Sequence, residues 1–192
     1  MNKTDRKNIL RNKGLAYRQT MTNSERWKNS QAIIEALFSH LQNMPDIPSC
    51  LLAYRSLPSE VNTETLFRTS DYRIFAPITH HHEQMEWRLV KPDTGWENGR
   101  FGVSEPVSDV TWTGEKTTVL LCPLTAFDRQ GNRLGMGKGC FDHWLARHRH
   151  QLNHVIGLAF SGQEVADIPA ERHDAPMDYI ITEKEVIKCP KP

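Results

Sequence analysis

Cysteine is scarce in this chain, and long apolar runs are missing. The cysteines are Cys50, Cys122, Cys140 and Cys189. They form no C-x-x-C pair and follow no secretory leader pattern, so a reducing cytoplasm is the compartment we expect. No apolar stretch approaches the roughly 20 residues that are needed to span a bilayer. We therefore expect a soluble cytoplasmic protein.

An excess of either charge is missing as well. The 24 Lys and Arg balance 23 Asp and Glu to a formal net charge of +1. This balance gives no reason to expect nucleic acid or a membrane surface as a partner, so any basic site must be local. With 192 residues, of which 38% are hydrophobic, the chain is long enough for a sizeable core. We expect residues 1–192 to form a single domain, and the oligomeric state stays open.

Two helices are predicted at the amino terminus. The first 20 residues have a cationic helical pattern with Thr4 as a possible N-cap. Thr22 and Glu25 form a T-x-x-E capping box that begins the second helix. The apolar face of the first helix is predicted to comprise Ile9, Leu10, Tyr17 and Met21. The stripe of the second is predicted to comprise Trp27, Ile34, Leu37, Phe38 and Leu41.

Short apolar runs then alternate with helical or irregular stretches. They predict strands at residues 50–54, 73–77, 87–90, 118–123, 155–160 and 179–182. Three of the runs, LLAY, VLLCP and VIGLAF, are nearly continuous in apolar residues, as is typical of strands covered on both faces. Helical spacing returns at residues 141–152. The pattern predicts an α/β fold of three layers, with a mostly parallel open sheet and helices on both faces.

The most informative segment is LTAFDRQGNRLGMGKGCFD, residues 124–142. Its glycines at 131, 135, 137 and 139 let backbone amides turn toward a ligand, and Arg129, Arg133 and Lys138 supply positive charge for phosphate. The segment contains neither GxxxxGK[ST] nor a GxGxxG that opens a helix after the first strand. It joins a predicted buried strand to a helix N-terminus, the edge at which open α/β folds collect ligands. We therefore predict a phosphate-binding loop.

The order of residues in this loop resembles the 5-formyltetrahydrofolate cyclo-ligase family. That family carries a pattern close to P-G-x-A-F-D-x-x-G-x-R-L-G-x-G-K-G-Y-Y-D, which residues 126–128, 131, 133–135, 137–139 and 142 match. Weaker matches follow in the family's order over most of the chain, among them FGVSEP, GLAFSGQ and HDAPMDYIITE. The resemblance implies conversion of 5-formyltetrahydrofolate to 5,10-methenyltetrahydrofolate. ATP and Mg²⁺ would be used, the formyl oxygen would be phosphorylated, and ADP and phosphate would be released.

The resemblance implies an ATP site built from the first helix and the loop. Lys7 and Arg11 match the family's K-x-x-x-R pair, whereas their spacing alone favours a solvated helix face. Lys3 and Arg18 have no such support and are expected on the surface. The implied ATP set is Lys7, Arg11, Arg133, Leu134, Gly135, Met136, Gly137, Lys138, Gly139, Cys140 and Phe141. Of these, Arg133 and Lys138 are expected to be catalytic.

The implied reduced-folate site comprises Arg55, Glu60, Met85, Trp87 and Phe141. Glu60 matches a glutamate that contacts the pterin, since a carboxylate can accept two neighbouring N–H donors. Without the resemblance, Glu60 is as readily a helix-start charge. Met85 and Trp87 match an M-x-F pair that can sandwich a flat ring, although such a pair on a strand is more often core.

The metal ligands implied by the resemblance are Asp142 and Asp174. Magnesium takes hard oxygen ligands and usually needs only one or two carboxylates, but Asp142 could equally be a helix N-cap. The histidines at 80–82 and between 143 and 154 have no convincing zinc spacing and are expected on the surface.

One departure from the family pattern concerns the residues after G-K-G. Cys140-Phe141 replaces the usual tyrosine pair, so the phenolic hydroxyls are missing. Two alternatives therefore stay open: a relative that uses ATP on a different substrate, and a non-catalytic folate- or nucleotide-binding protein.

Overall fold

The computed structural model describes residues 2–68, 71–81, 84–171 and 174–190. Its α-helices are α1 (Lys3–Thr20), α2 (Asn23–Gln42) and α3 (Cys140–His148). Its strands are β1 (Cys50–Leu52), β2 (Arg73–His81), β3 (Gln84–Val90), β4 (Trp96–Asn98), β5 (Ser104–Pro106), β6 (Thr118–Pro123), β7 (Ala126–Phe127), β8 (Arg133–Leu134), β9 (His154–Leu158), β10 (Tyr179–Ile181) and β11 (Val186–Lys188). Among these residues, no helix is long and apolar enough to cross a membrane.

Seven strands form the central sheet, in the order β11-β10-β9-β6-β1-β2-β3. The five inner strands run parallel to one another, and the two edge strands, β11 and β3, pair antiparallel. The core strands read as continuous apolar runs because both of their faces are covered. All six predicted strands are present, with shifted ends. The mostly parallel sheet that the sequence predicts is confirmed.

Helices cover both faces of this sheet. Successive side chains of β6 point to opposite faces, so Val119 and Leu121 belong to the buried cluster that contains the apolar side of α2. Leu120 and Cys122 belong to the second cluster, which contains the apolar side of α3. The three-layer arrangement is therefore confirmed. The division into a single domain stays a prediction.

The helix ends agree only in part with the sequence patterns. The capping box is confirmed, because the Thr22 N–H donates to Glu25 Oε2 at 2.8 Å and the Glu25 N–H donates to Thr22 Oγ1 at 3.2 Å. Thr4 is not the first N-cap: the Asn2 side chain accepts the Asp5 N–H at 2.8 Å. An asparagine two residues earlier caps the helix, so α1 begins sooner.

The apolar stripes are shorter than predicted. Ile9 is 55% exposed and Trp27 is 62% exposed, although both have the spacing of a buried face. The buried side of α2 begins only at Ser30. The helix predicted at residues 141–152 is α3 followed by a 3₁₀ turn at Arg149–Gln151.

Candidate active site

A cavity of about 260 Å³ lies beyond the carboxyl ends of β1 and β6. Tyr54, Arg55 and Glu60, which follow β1, form one side of it. Residues of the glycine loop and the start of α3 form the other side: Arg133, Gly135, Met136, Lys138, Gly139, Cys140, Phe141 and Asp142. The strand ends of a parallel sheet are the expected place for a ligand site, because the loops that follow them converge there.

The glycine loop is held in shape by a two-stranded hairpin. β7 and β8 pair antiparallel, and Gly131 turns the chain between them with φ +89°. Gly137 at φ +89° and Gly139 at φ +73° then carry the loop into α3. Other residues rarely adopt this left-handed backbone, which explains glycine at these positions. Gly139 precedes the first residue of α3, so Asp142 lies inside the first turn and is not its N-cap.

Arg133 is the most buried cation of the loop, with 4% of its side chain exposed. Its Nη2 donates to Asp142 Oδ1 at 2.6 Å and its Nη1 donates to the Ala175 carbonyl at 2.9 Å. The guanidinium therefore contacts one of the two predicted metal ligands and the residue next to the other, Asp174. This contact places the two predicted metal positions in the same neighbourhood, although they belong to distant parts of the chain.

Helix α1 brings two further cations to the loop. Lys7 Nζ lies 3.0 Å from Glu171 Oε2 and 3.2 Å from Asp174 Oδ2. Burial lowers the pKa of Lys7, but these two carboxylates outweigh it and the pKa is raised. Arg11 Nε donates to the Gly135 carbonyl at 2.8 Å. The predicted K-x-x-x-R pair thus contacts the loop or its neighbours directly.

The close approach of α1 depends on Gly14. A Cβ atom at this position would lie 1.8 Å from the Thr125 carbonyl oxygen, a distance that no folded protein tolerates. The helix can therefore rest on the start of the loop only because residue 14 has no side chain. No sequence pattern indicated this glycine, because a helical glycine is usually read as a weak point in the helix.

Arg18 was expected on the surface, and that prediction is wrong. Arg18 is 2% exposed, and its Nη2 donates to the Leu124 carbonyl. Its Nη1 lies 3.9 Å from Glu60 Oε1. The burial of Arg18 was not predicted, because arginine is rarely buried and the residue spacing in α1 does not show which of its polar side chains point inward.

Glu60 is the only glutamate that lines the cavity among the residues that the structure describes. It is 6% exposed, and its Oε2 accepts the Leu57 N–H at 2.9 Å. Burial raises the pKa of Glu60, while the Leu57 N–H and the charge of Arg18 oppose that rise. The carboxylate therefore stands at the cavity wall in a place where its charge is costly.

Of the two residues predicted to sandwich the substrate ring, Met85 lines the cavity and Trp87 does not. Trp87 is 1% exposed and packs edge-on against Phe141, with ring centroids 6.0 Å apart and an interplanar angle of 79°. Phe141 lines the cavity, so the wall here is made by Phe141, with Trp87 behind it.

Arg55 also lines the cavity. Its guanidinium stacks over the Trp96 ring at 4.2 Å and its Nε lies 3.4 Å from Glu64 Oε2.

Several predicted site residues do not line this cavity: Lys7, Arg11, Trp87, Leu134, Gly137 and Asp174. Leu134 is 4% exposed and packs in a separate cluster with Leu10 of α1. Gly137 faces the Arg11 guanidinium. A third loop residue, Arg129, was expected to supply charge for phosphate. It pairs instead with Glu164 at 2.7 Å and Glu185 at 2.6 Å.

The residues of the cavity wall that the sequence reasoning missed include Tyr54, Arg100 and Phe101. Phe101 has φ 60°, is 49% exposed, and its ring lies 5.4 Å from Lys138 Nζ. A bulky residue in this backbone region is uncommon and marks a constrained site. The FGVSEP match to the family includes Phe101 but indicated no chemistry for it. Within that match, the structure gives Glu105 a role, since it accepts the Thr79 N–H at 2.8 Å.

The histidines form no metal cluster in the described ranges. No group of three or more His, Cys, Asp or Glu side chains there is placed to hold a metal ion. His80 pairs with Glu86 at 3.1 Å, and the His148 ring stacks on Trp144 at 4.5 Å. His82 lies outside the described residues.

The comparison with known proteins agrees with this geometry. The family model for the 5-formyltetrahydrofolate cyclo-ligase family matches residues 3–183. This chain belongs to that family. It is therefore a ligase, which argues against the non-catalytic alternative.

Individual relatives support the same assignment. The 5-formyltetrahydrofolate cyclo-ligase of Haemophilus influenzae is 33% identical over 137 residues, which cover 67% of this chain and 72% of the relative. The NMR structure of Aquifex aeolicus 5,10-methenyltetrahydrofolate synthetase is 28% identical, with a TM-score of 0.77 over 97% of this chain and 94% of that one. A synthetase structure from Mycoplasma pneumoniae, 24% identical, supports the fold, with a TM-score of 0.72 over 92% of this chain and 98% of that one.

Proposed function

We propose that this ligase uses ATP and Mg²⁺ to convert 5-formyltetrahydrofolate to 5,10-methenyltetrahydrofolate. ADP and phosphate are the other products. In this reaction the formyl oxygen of the substrate accepts the γ-phosphoryl group. N10 then attacks the activated formyl carbon, and the C–O bond breaks with release of phosphate and of the N10 proton.

One observation carries the proposal: a single cavity is bounded by Glu60 and Met85 on one side and by Arg133 and Lys138 on the other. The first pair suits a flat heterocycle with N–H donors, because it offers a carboxylate acceptor and a polarizable thioether. The second pair suits phosphate oxygens. A phosphoryl donor and a reduced folate could therefore meet in one enclosed space.

The residues of this chain would act by positioning and by charge. Arg133 and Lys138 would face the negative charge that develops on the transferring group, and preorganised cations there lower the barrier. Lys7 and Arg11 fix the rest of the phosphate chain from α1. No side-chain nucleophile is needed, because the substrate's own oxygen and N10 form the new bonds.

The donor set fits magnesium. Asp142 and Asp174 offer hard oxygen ligands next to the cations that would hold phosphate, and Mg²⁺ usually takes only one or two carboxylates, with phosphate and water completing its shell. When bound, the ion would neutralise charge on the phosphates. Both aspartates are already paired, with Arg133 and Lys7 respectively, so these pairs would have to loosen to admit it.

The test is a spectroscopic assay. Purified protein is mixed with 5-formyltetrahydrofolate, MgCl₂ and ATP, and absorbance is followed in the methenyl-folate band, with ATP-free and Mg-free controls. Growth of the band that requires both supports the proposal. A flat trace from folded protein would refute it and would direct attention to Cys140-Phe141 and a different substrate. Residence in the cytoplasm stays a prediction.

A further inference from the structure

Three buried polar side chains meet where the end of α1 reaches the cavity. Arg18, Tyr54 and Glu60 are 2%, 4% and 6% exposed, and the last two line the cavity. We call these three residues the buried polar cluster. Arg18 Nη1 and Glu60 Oε1 are 3.9 Å apart. This distance permits strong attraction between the charges but is too long for a hydrogen bond.

The cluster is incompletely bonded. Arg18 Nε and the Tyr54 hydroxyl are buried without a hydrogen-bond partner. Glu60 Oε2 accepts the Leu57 N–H, whereas Oε1 accepts no hydrogen bond from the part of the chain that the structure describes. Buried polar atoms are nearly always paired. Glu60 lines the cavity, and its Oε1 is not among the fully buried unpaired atoms, so Oε1 is the acceptor that a ligand would complete.

We propose that Arg18 is a positioning residue for Glu60, keeping it ionised and fixed at the cavity wall so that it can accept N–H groups of the substrate ring. The proposal rests on the function proposed above. Arg18 is itself fixed, since its side chain donates to the Leu124 carbonyl and Arg26 donates to the Arg18 carbonyl at 2.8 Å. The Tyr54 hydroxyl is the third polar group of this wall.

The charge state of Glu60 decides what it can bind. An ionised carboxylate only accepts hydrogen bonds, whereas a protonated one also presents a donor to the N–H groups of the ring. Burial raises the pKa of Glu60, and Arg18 opposes the rise. Removal of the Arg18 charge would therefore raise this pKa further. Burial and Glu60 also raise the pKa of Tyr54 well above its ordinary value, so Tyr54 stays neutral and does not obscure the titration.

The experiment compares Arg18→Met with Arg18→Lys, which keeps the charge. Arg149→Met is the matched control. Arg149 also pairs with a carboxylate, Asp178 at 2.8 Å, but it does not line the cavity. The readouts are KM for each substrate and the pH dependence of kcat/KM for 5-formyltetrahydrofolate. A second readout, independent of turnover, is the ¹³C NMR titration of the Glu60 carboxyl, assigned with Glu60→Gln.

For Arg18→Met we expect KM for 5-formyltetrahydrofolate to rise about tenfold, the effect of weakening one charge-assisted interaction, with KM for ATP within about twofold. Binding needs the carboxylate, so activity is lost as pH falls through the Glu60 pKa. This acid limb and the ¹³C titration should both move to higher pH in Arg18→Met. They should stay near the wild-type position in Arg18→Lys and Arg149→Met.

An unchanged Glu60 titration in Arg18→Met would overturn the proposal, as would equal rises in the KM of both substrates. If Arg18→Met does not fold, wild-type substrate affinity in Glu60→Gln would overturn it equally, because Glu60 would then need no positioning. Failure of the proposed function has a different signature. The wild type would form no methenyl product, while the NMR titration would still report whether Arg18 controls Glu60.

Discussion

The cavity has two walls, and they hold charge in different ways. The substrate wall, made of Tyr54, Glu60 and Met85, is buried, and its carboxylate lies 3.9 Å from its countercharge without a hydrogen bond between them. The proposed phosphate wall, made of Arg133, Gly135, Met136, Lys138, Gly139 and Asp142, holds its charges in closer pairs. Arg133 lies 2.6 Å from Asp142, which is partly exposed.

Under the proposed function, this difference sets what each ligand must do. A ligand at the substrate wall completes bonds that the protein leaves open, and it gains from the low dielectric around them. A ligand at the phosphate wall must enter existing ion pairs. The Arg133–Asp142 pair is exposed on its Asp142 side, so an incoming phosphate can exchange for that carboxylate while the Ala175 carbonyl holds Arg133 in place.

Helix α1 connects the two walls. Lys7 and Arg11 reach the phosphate side, and Arg18 lies about 16 Å further along the helix than Lys7, at a rise of roughly 1.5 Å per residue. A displacement of α1 therefore affects both walls at once, whereas changes in a single wall should affect one substrate. The following predictions use that contrast.

The broadest effect, on stability and on both substrates, is expected from Gly14→Ala. The added Cβ would lie 1.8 Å from the Thr125 carbonyl oxygen, so α1 must move away. We expect a loss of about 1–3 kcal/mol in unfolding free energy, typical of overpacking, and higher KM for both substrates. Asn12→Ala, at an exposed position of the same helix, is the control. Urea unfolding measures the stability, and an unchanged midpoint would contradict the proposed contact.

The phosphate wall alone is tested by Arg133→Ala. Loss of one preorganised cation should lower kcat about 100- to 1000-fold, with little change in 5-formyltetrahydrofolate binding. Arg129→Ala is the control, because Arg129 belongs to the same loop but is bound to Glu164 and Glu185. Steady-state kinetics decide between them. Equal losses in both variants would mean that the loop needs its overall charge rather than Arg133 in particular.

Lys7→Met should have a smaller effect, confined to the KM for ATP. Lys7 is held by Glu171 and Asp174, at the margin of the phosphate wall, and we expect KM for ATP to rise about tenfold as one charged contact is lost. Lys3→Met, at an exposed position of α1, controls for net charge. A rise in KM for the folate of similar size would show that the two walls are not independent at this position.

The fold was predictable because its strands are buried on both faces. β6 and β9 are continuous apolar runs, and the capping box at Thr22 depends only on local chemistry. The short strands were not predicted: β4–β5, β7–β8 and β11 have two or three residues each. Tertiary pairing fixes such strands, and a pattern that short has no readable period.

The candidate site was predictable where chemistry is carried by a contiguous motif, as in the glycine loop. Arg18 shows where that reasoning ends. Its sequence context is that of an exposed helix, whereas the packing of Gly14 on Thr125 and of Tyr17 on Gly162 brings the end of α1 into the molecule. For Trp87, the predicted strand position was correct, but Phe141 from the distant helix α3 covers its ring. Both outcomes depend on contacts between distant segments.

The smallest effect, and the finest test of the two walls, concerns Cys140. Burial raises the pKa of Cys50 to about 12 and the pKa values of Cys122 and Cys189 to about 11. Burial raises the pKa of Cys140 as well, but Cys140 is half-buried at the cavity whereas the other three cysteines are buried. Alkylation at mildly alkaline pH should therefore modify it first, because its thiolate is the most accessible. Mass spectrometry measures the rate, with Cys140→Ser as the control for assignment.

Ligand protection then decides to which wall Cys140 belongs. It is the first residue of α3 and follows the glycine loop, so we expect ATP with Mg²⁺ to slow its alkylation severalfold and 5-formyltetrahydrofolate alone to slow it less. The opposite order would assign the start of α3 to the substrate wall. In that case the replacement of the family's tyrosine pair by Cys140-Phe141 would act on folate recognition, and the boundary between the walls would lie at Gly139.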